Sequence, residues 1–235
     1  MKAFLLMGQS NMAGRGDFGE VAEIKNDRCY MLRNGHWVTM SEPINPDRQV
    51  FGYFHSGVGL GASFADECER YFDEEIGLIP CADGGTCISQ WQPGEILYDN
   101  AVVQTRLAAR SAEIVGILWH QGDNDSATME DVKAYRQRFE NMISSLKKDL
   151  SLPDHIPVVI GELGDFVGDY QNGKLKFFRE TNQVLHEISR DFDHVAIASA
   201  EGLTCKNDGI HFNSASYREL GRRYFNALVS LYKKQ

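Results

Sequence analysis

Lys2-Ala3-Phe4-Leu5-Leu6-Met7-Gly8-Gln9-Ser10-Asn11-Met12-Ala13-Gly14 opens the chain, and its reading decides the fold. The run from Lys2 to Met7 is apolar at alternating positions of both parities, as a strand buried on both faces requires. It breaks abruptly into a polar, glycine-containing loop. Four further runs share this character: Ile76 to Cys81, Ile114 to Trp119, Ile156 to Gly161 and Val195 to Ser199. Between and after them lie amphipathic helical patterns. In the clearest, Val132, Tyr135, Phe139, Met142, Ile143, Leu146 and Leu150 share one stripe, with charged residues opposite. Tyr217, Leu220, Tyr224, Leu228 and Leu231 repeat it near the C-terminus, and Phe64, Cys68 and Phe72, then Phe177, Thr181, Val184 and Ile188, do so more weakly. Strands alternating with such helices imply right-handed βαβ units. The expected fold is α/β, a three-layer α/β/α sandwich around a five-stranded parallel sheet.

The 235 residues are 43% hydrophobic and 24% charged, enough apolar material for one large core, so residues 1–235 are read as a single domain. One irregular excursion interrupts the alternation at about 14–59. Within it Asn34-Gly35, between two β-prone runs, predicts a hairpin. The formal net charge of -9 disfavours phosphate backbones and anionic membrane surfaces, so neither nucleic acid nor membrane is expected as a partner. The Met1 to Met7 stretch is too short for a secretory leader, and the expected location is the cytoplasm. Five cysteines without a CxxC spacing suggest neither a disulfide framework nor a zinc knuckle.

In open α/β sheets ligands bind beyond the carboxyl ends of the strands. Polar, glycine-rich sequence follows four of the five predicted strands: Gly8 to Gly14, Asp83-Gly84-Gly85-Thr86, His120 to Asp125, and Asn207 to Phe212. Ser10, at the first turn after a buried strand, is a candidate nucleophile. Its hydroxyl needs a base, and the base a carboxylate to orient it. Asp208 and His211, with Gly209 between them to permit a tight turn, are the best candidates. Acyl transfer also needs donors for an oxyanion. Gly84 or Gly85 can supply a backbone N–H, Ser10 a second, and Gln121 or Asn124 a side-chain amide.

Each feature alone has an ordinary explanation: a strand-end serine caps helices, an aspartate closes turns, and Trp91 and Trp119 pack. Their joint occurrence at one sheet edge points to chemistry. A metal site built from His120, Asp123, Asp125, Asp208 and His211 lacks any compact ligand spacing, and no GxSxG elbow occurs.

Gly8-Gln9-Ser10-Asn11-Met12-Ala13-Gly14, Gly84-Gly85-Thr86 with Trp91, Trp119-His120-Gln121-Gly122 and Asp208-Gly209-Ile210-His211-Phe212 together resemble carbohydrate esterase family six. That family, which includes acetylxylan esterases and sialate O-acetylesterase-like proteins, lies within the SGNH (GDSL-like) hydrolases. The resemblance spans nearly the whole chain. It implies a flavodoxin-like fold and metal-free, cofactor-free removal of acetyl groups from sugars. Carried over, it implies Ser10 as nucleophile, His211 as base and Asp208 as its orienter, with Gly85, or its neighbour Gly84, and Gln121 joining the Ser10 N–H in the oxyanion hole; Trp91, just beyond the glycine pair, is a candidate to wall the pocket or to contact substrate by stacking on a sugar ring. The third block departs from the family's usual Gln-Gly-Glu-Ser-Asp. Gln121-Gly122-Asp123-Asn124-Asp125 instead also fits the wider superfamily's Gly-x-Asn-Asp, which leaves Gln121 against Asn124 open. The rival readings are an esterase or thioesterase of non-carbohydrate substrates and a non-catalytic sugar-binding protein.

Overall fold

The computed structural model describes residues 1–47 and 55–233. Seven strands form one sheet: β1 (Lys2–Gly8), β2 (Cys29–Arg33), β3 (His36–Thr39), β4 (Ile76–Pro80), β5 (Glu113–His120), β6 (Val158–Gly161) and β7 (Val195–Ala198). The helices are α1 (Ser10–Ala13), α2 (Gly61–Phe72), α3 (Ile96–Ala108), α4 (Met129–Asp149), α5 (Phe178–Asp191) and α6 (Ser214–Tyr232). All five predicted strands are present, and the spatial order is β3-β2-β4-β1-β5-β6-β7. Every neighbouring pair is parallel except β2 with β3.

The sheet therefore has seven strands, not five. The two additional ones come from the excursion at 14–59, whose positions 48–54 lie outside the described residues. Its hairpin turns at Asn34 and Gly35, both with positive φ, and β2 docks in parallel on β4 with Cys29 opposite Ile76 and Met31 opposite Leu78. Strand β3, mostly exposed, closes that edge as an antiparallel strand. Local hairpin chemistry was readable; the docking on β4 depends on contacts more than forty residues apart in sequence.

Alternation along β1 explains the layers. Phe4 and Leu6 face a core shared with Phe64 and Ala65 of α2 and Tyr217, Leu220 and Leu228 of α6. Leu5 and Met7 face the opposite core, with Leu97 and Ala101 of α3, Tyr135, Phe139 and Leu146 of α4 and Leu185 of α5. Helix α3 has no strong sequence pattern, because Ile96 and Val103 are exposed while Thr105 is buried. Among the described residues, no helix is long and apolar enough to cross a membrane.

Candidate active site

Strand β1 cannot continue past Gly8. There φ is +129°, and a Cβ would lie 2.1 Å from the His120 carbonyl oxygen, so only glycine allows β1 and β5 to approach this closely at their ends. Gln9 then caps α1 with extended backbone, and Ser10 opens the helix. Its N–H is among the first-turn donors that a helix cannot satisfy internally.

The loop ahead of α6 supplies the partners. Asp208 Oδ1 accepts from the backbone N–H of Ile210 at 3.1 Å and of His211 at 3.0 Å, with Gly209 at φ +72° allowing the turn. Its Oδ2 lies 2.9 Å from His211 Nδ1, and His211 Nε2 lies 2.9 Å from Ser10 Oγ. The three predicted residues are thus joined in one hydrogen-bonded row. Burial penalises the Asp208 carboxylate, but its hydrogen bonds from His211 and Ile210 outweigh that and hold its pKa below the ordinary value. Burial lowers the His211 pKa by more than Asp208 raises it, and the charges of Arg15 and Lys206 lower it further.

Asn11, one residue past the serine, holds this loop on both sides of the histidine. Its Nδ2 donates to Ile210 O at 3.1 Å, and its Oδ1 accepts from Phe212 N at 3.3 Å and from Tyr217 Oη at 2.7 Å. Sequence reasoning quoted Asn11 without a role. Its position beside the serine in the Ser-Asn pair was the available signal, but its partners lie about two hundred residues away.

The glycine loop after β4 and the turn after β5 meet next to one another. Gly84 is buried and Gly85 exposed, and Gly85 O accepts from Asn124 Nδ2 at 2.6 Å. Gln121 does not reach the surface. It is wholly buried, with Nε2 3.2 Å from Gln9 Oε1, 3.0 Å from Thr86 O and 2.5 Å from Asp125 Oδ2. Those acceptors exhaust its two N–H groups, so Gln121 braces the loops from beneath. The partly exposed amide is that of Asn124.

Trp91 likewise departs from its expected place. It is fully buried, stacked edge-on against Trp119 at 5.4 Å, and its Nε1 donates to Thr86 Oγ1 at 3.1 Å. A ring with no exposed surface cannot stack on a sugar, and its contribution is to support the Gly85 loop. Asp123, Asp125 and His120 also lie inside. Burial pushes the two carboxyls up to about 7 and about 6, and His120 down to about 3, beside Tyr224 Oη at 2.9 Å. Among the described residues, no three His, Cys, Asp or Glu side chains are grouped to hold a metal ion.

The chain thus combines a mostly parallel sheet between helical layers with a serine after the first strand that faces an Asp-x-x-His loop ahead of the last helix. Residues 1–230 match the model of the carbohydrate esterase, sialic acid-specific acetylesterase family, and the chain belongs to that family. It is similar to a probable carbohydrate esterase of Arabidopsis thaliana, 29% identical over 97% of this chain and 90% of that protein. The crystal structure of that Arabidopsis protein superposes with a TM-score of 0.84, at 27% identity over 97% of this chain and 98% of the other. NanS superposes with a TM-score of 0.76 at 16% identity, covering 99% and 98% of the two chains. A carbohydrate acetylesterase of Xanthomonas citri gives 0.71 at 19% identity, covering 99% of this chain and 57% of that one. The protein is accordingly a carboxylic ester hydrolase of the carbohydrate esterase kind.

Proposed function

We propose that the protein removes O-acetyl groups from acetylated sugars through an acetyl-enzyme formed on Ser10. The observation that carries this reading is the row Asp208–His211–Ser10, with both links at 2.9 Å. Neutral His211 accepts the Ser10 proton at Nε2 as Oγ attacks the ester carbonyl carbon. Asp208 fixes the tautomer with hydrogen on Nδ1 and stabilises the imidazolium. The tetrahedral oxyanion is met by the N–H groups of Ser10 and Gly85 and by Asn124 Nδ2, whose second hydrogen is not needed by Gly85 O. Collapse breaks the bond from the acetyl carbon to the sugar oxygen, and His211 returns the proton to that oxygen. Water then attacks the acetyl-enzyme by the same steps in reverse, releasing acetate and restoring Ser10.

A ladder of esters from acetyl to octanoyl tests the reading against lipase-like or thioesterase chemistry on the same row. Acetyl esters are expected to be preferred, with Ser10→Ala lowering kcat by about 10⁴-fold or more. A preference for long acyl chains would sink the acetylesterase assignment, and full activity in Ser10→Ala would sink the nucleophile.

A further inference from the structure

A hollow of about 420 Å³ adjoins the catalytic row, lined by Asp208 and His211 together with Arg15, Asp17, Phe18 and Lys206. Its volume falls within the range of small-molecule sites. If His211 returns a proton to the departing sugar oxygen, as the proposed function requires, the rest of the sugar must lie on the side that His211 lines. This hollow is then the leaving-group site.

Phe18 is the unusual member. It is 60% exposed, while the aromatic rings of the core are buried. The large apolar side chains most exposed among the described residues are Phe18, Val38, Tyr71, Ile96 and Val103, and of these Phe18 alone lines the hollow that holds His211. It also lines a second hollow of about 310 Å³. The loop that carries it is anchored on either side. Lys206 Nζ donates to Asp17 Oδ1 at 2.7 Å, Ser214 Oγ lies 3.0 Å from Asp17 O and 2.8 Å from Glu20 Oε2, and Gly16 and Val58 exchange two backbone hydrogen bonds at 2.9 Å. An aromatic side chain kept in water on a braced loop, lining the same hollow as His211, is arranged for contact with a ligand.

We infer that Phe18 is the platform on which the acetylated sugar ring stacks. A pyranose presents a face of C–H groups and a rim of hydroxyls. The aromatic ring matches the first, and the polar side chains of Arg15, Asp17 and Lys206 around it match the second. Phe18 thereby takes the role that sequence reasoning gave to Trp91, and it sets preference for sugar acetates over simple acetates. The inference rests on the acetylesterase reading.

The test measures kcat/KM on a mono-O-acetylated methyl glycoside and on ethyl acetate, which has no ring to stack, for the wild type, Phe18→Ala, Phe18→Trp and Ser10→Ala. The ratio of sugar ester to ethyl acetate is expected to fall about tenfold in Phe18→Ala, chiefly through KM, and to be kept in Phe18→Trp. An unchanged ratio in Phe18→Ala, including one in which both substrates lose equally, overturns the platform while leaving the esterase intact. A wild type without preference for the glycoside also overturns it. Activity that persists in Ser10→Ala overturns the reading beneath it, a result recognisable without reference to Phe18.

Discussion

Asn124 and Gln121 are three residues apart, yet one amide is partly exposed beside Gly85 and the other is sealed among interior acceptors. In the proposed mechanism this difference makes Asn124 the side-chain donor to the oxyanion. Asn124→Ala is expected to lower kcat by about a hundred- to a thousandfold with little change in KM, as measured by steady-state ester hydrolysis. In the proposed mechanism His211 sets the pH dependence. It acts as a base only when neutral, and burial keeps its pKa below the ordinary histidine value. Activity should therefore rise with pH through an inflection below about 6.5 and stay flat across neutrality. A pH profile of kcat/KM checks this, and an inflection well above 6.5 would mean that His211 is stabilised in its charged form.

At the scale of elements, the site depends on α1 gripping the loop ahead of α6. Asn11 makes that connection through hydrogen bonds to residues on both sides of His211. Asn11→Ala leaves the buried Phe212 N–H without its partner, costing roughly 1–3 kcal/mol. It also frees the histidine to shift, and a displacement near 1 Å lowers kcat by about a hundredfold. Urea unfolding and turnover of the same variant separate the two effects. Strands β1, β4, β5, β6 and β7 were legible because strands buried on both faces are nearly continuous apolar runs. Ser10, Asp208 and His211 stand in polar loops that follow or flank buried elements, which singles them out in the sequence, and the structure brings the three within hydrogen-bond distance. Strands β2 and β3 were seen only as a hairpin, since nothing local says that Cys29 pairs with Ile76. Burial was less visible still. Trp91 and Gln121 have the right residue types for sugar contact and oxyanion donation, and only their packing against Trp119 and Asp125 removes them from solvent.

For the molecule as a whole, the excursion after α1 is fastened to α6 by one buried ion pair. Arg218 Nη1 and Nη2 lie 2.8 and 2.5 Å from the two oxygens of Glu42, with both side chains under a tenth exposed, and Glu42 Oε1 also accepts from Gly59 N at 3.1 Å. Glu42→Ala leaves the guanidinium buried without its counter-charge, at a cost of roughly 3–5 kcal/mol. Thermal denaturation should register this as a Tm lower by on the order of 10 °C. Helix α6 also holds the loop that carries Phe18, through Ser214 to Asp17 O and Glu20 and through Arg218 Nη2 to Ala22 O at 3.1 Å, so fold stability and the shape of the hollow are linked through α6.

In the proposed mechanism acyl transfer passes through Ser10. The most direct measurement is mass spectrometry of the enzyme, acid-quenched during turnover of an activated acetyl ester, with the peptide spanning Gly8 to Gly14 sequenced. One acetyl group on Ser10 in the wild type, absent together with activity in Ser10→Ala, is the predicted result. Turnover at the wild-type rate in Ser10→Ala, with no acetyl group on this peptide in either protein, would contradict it.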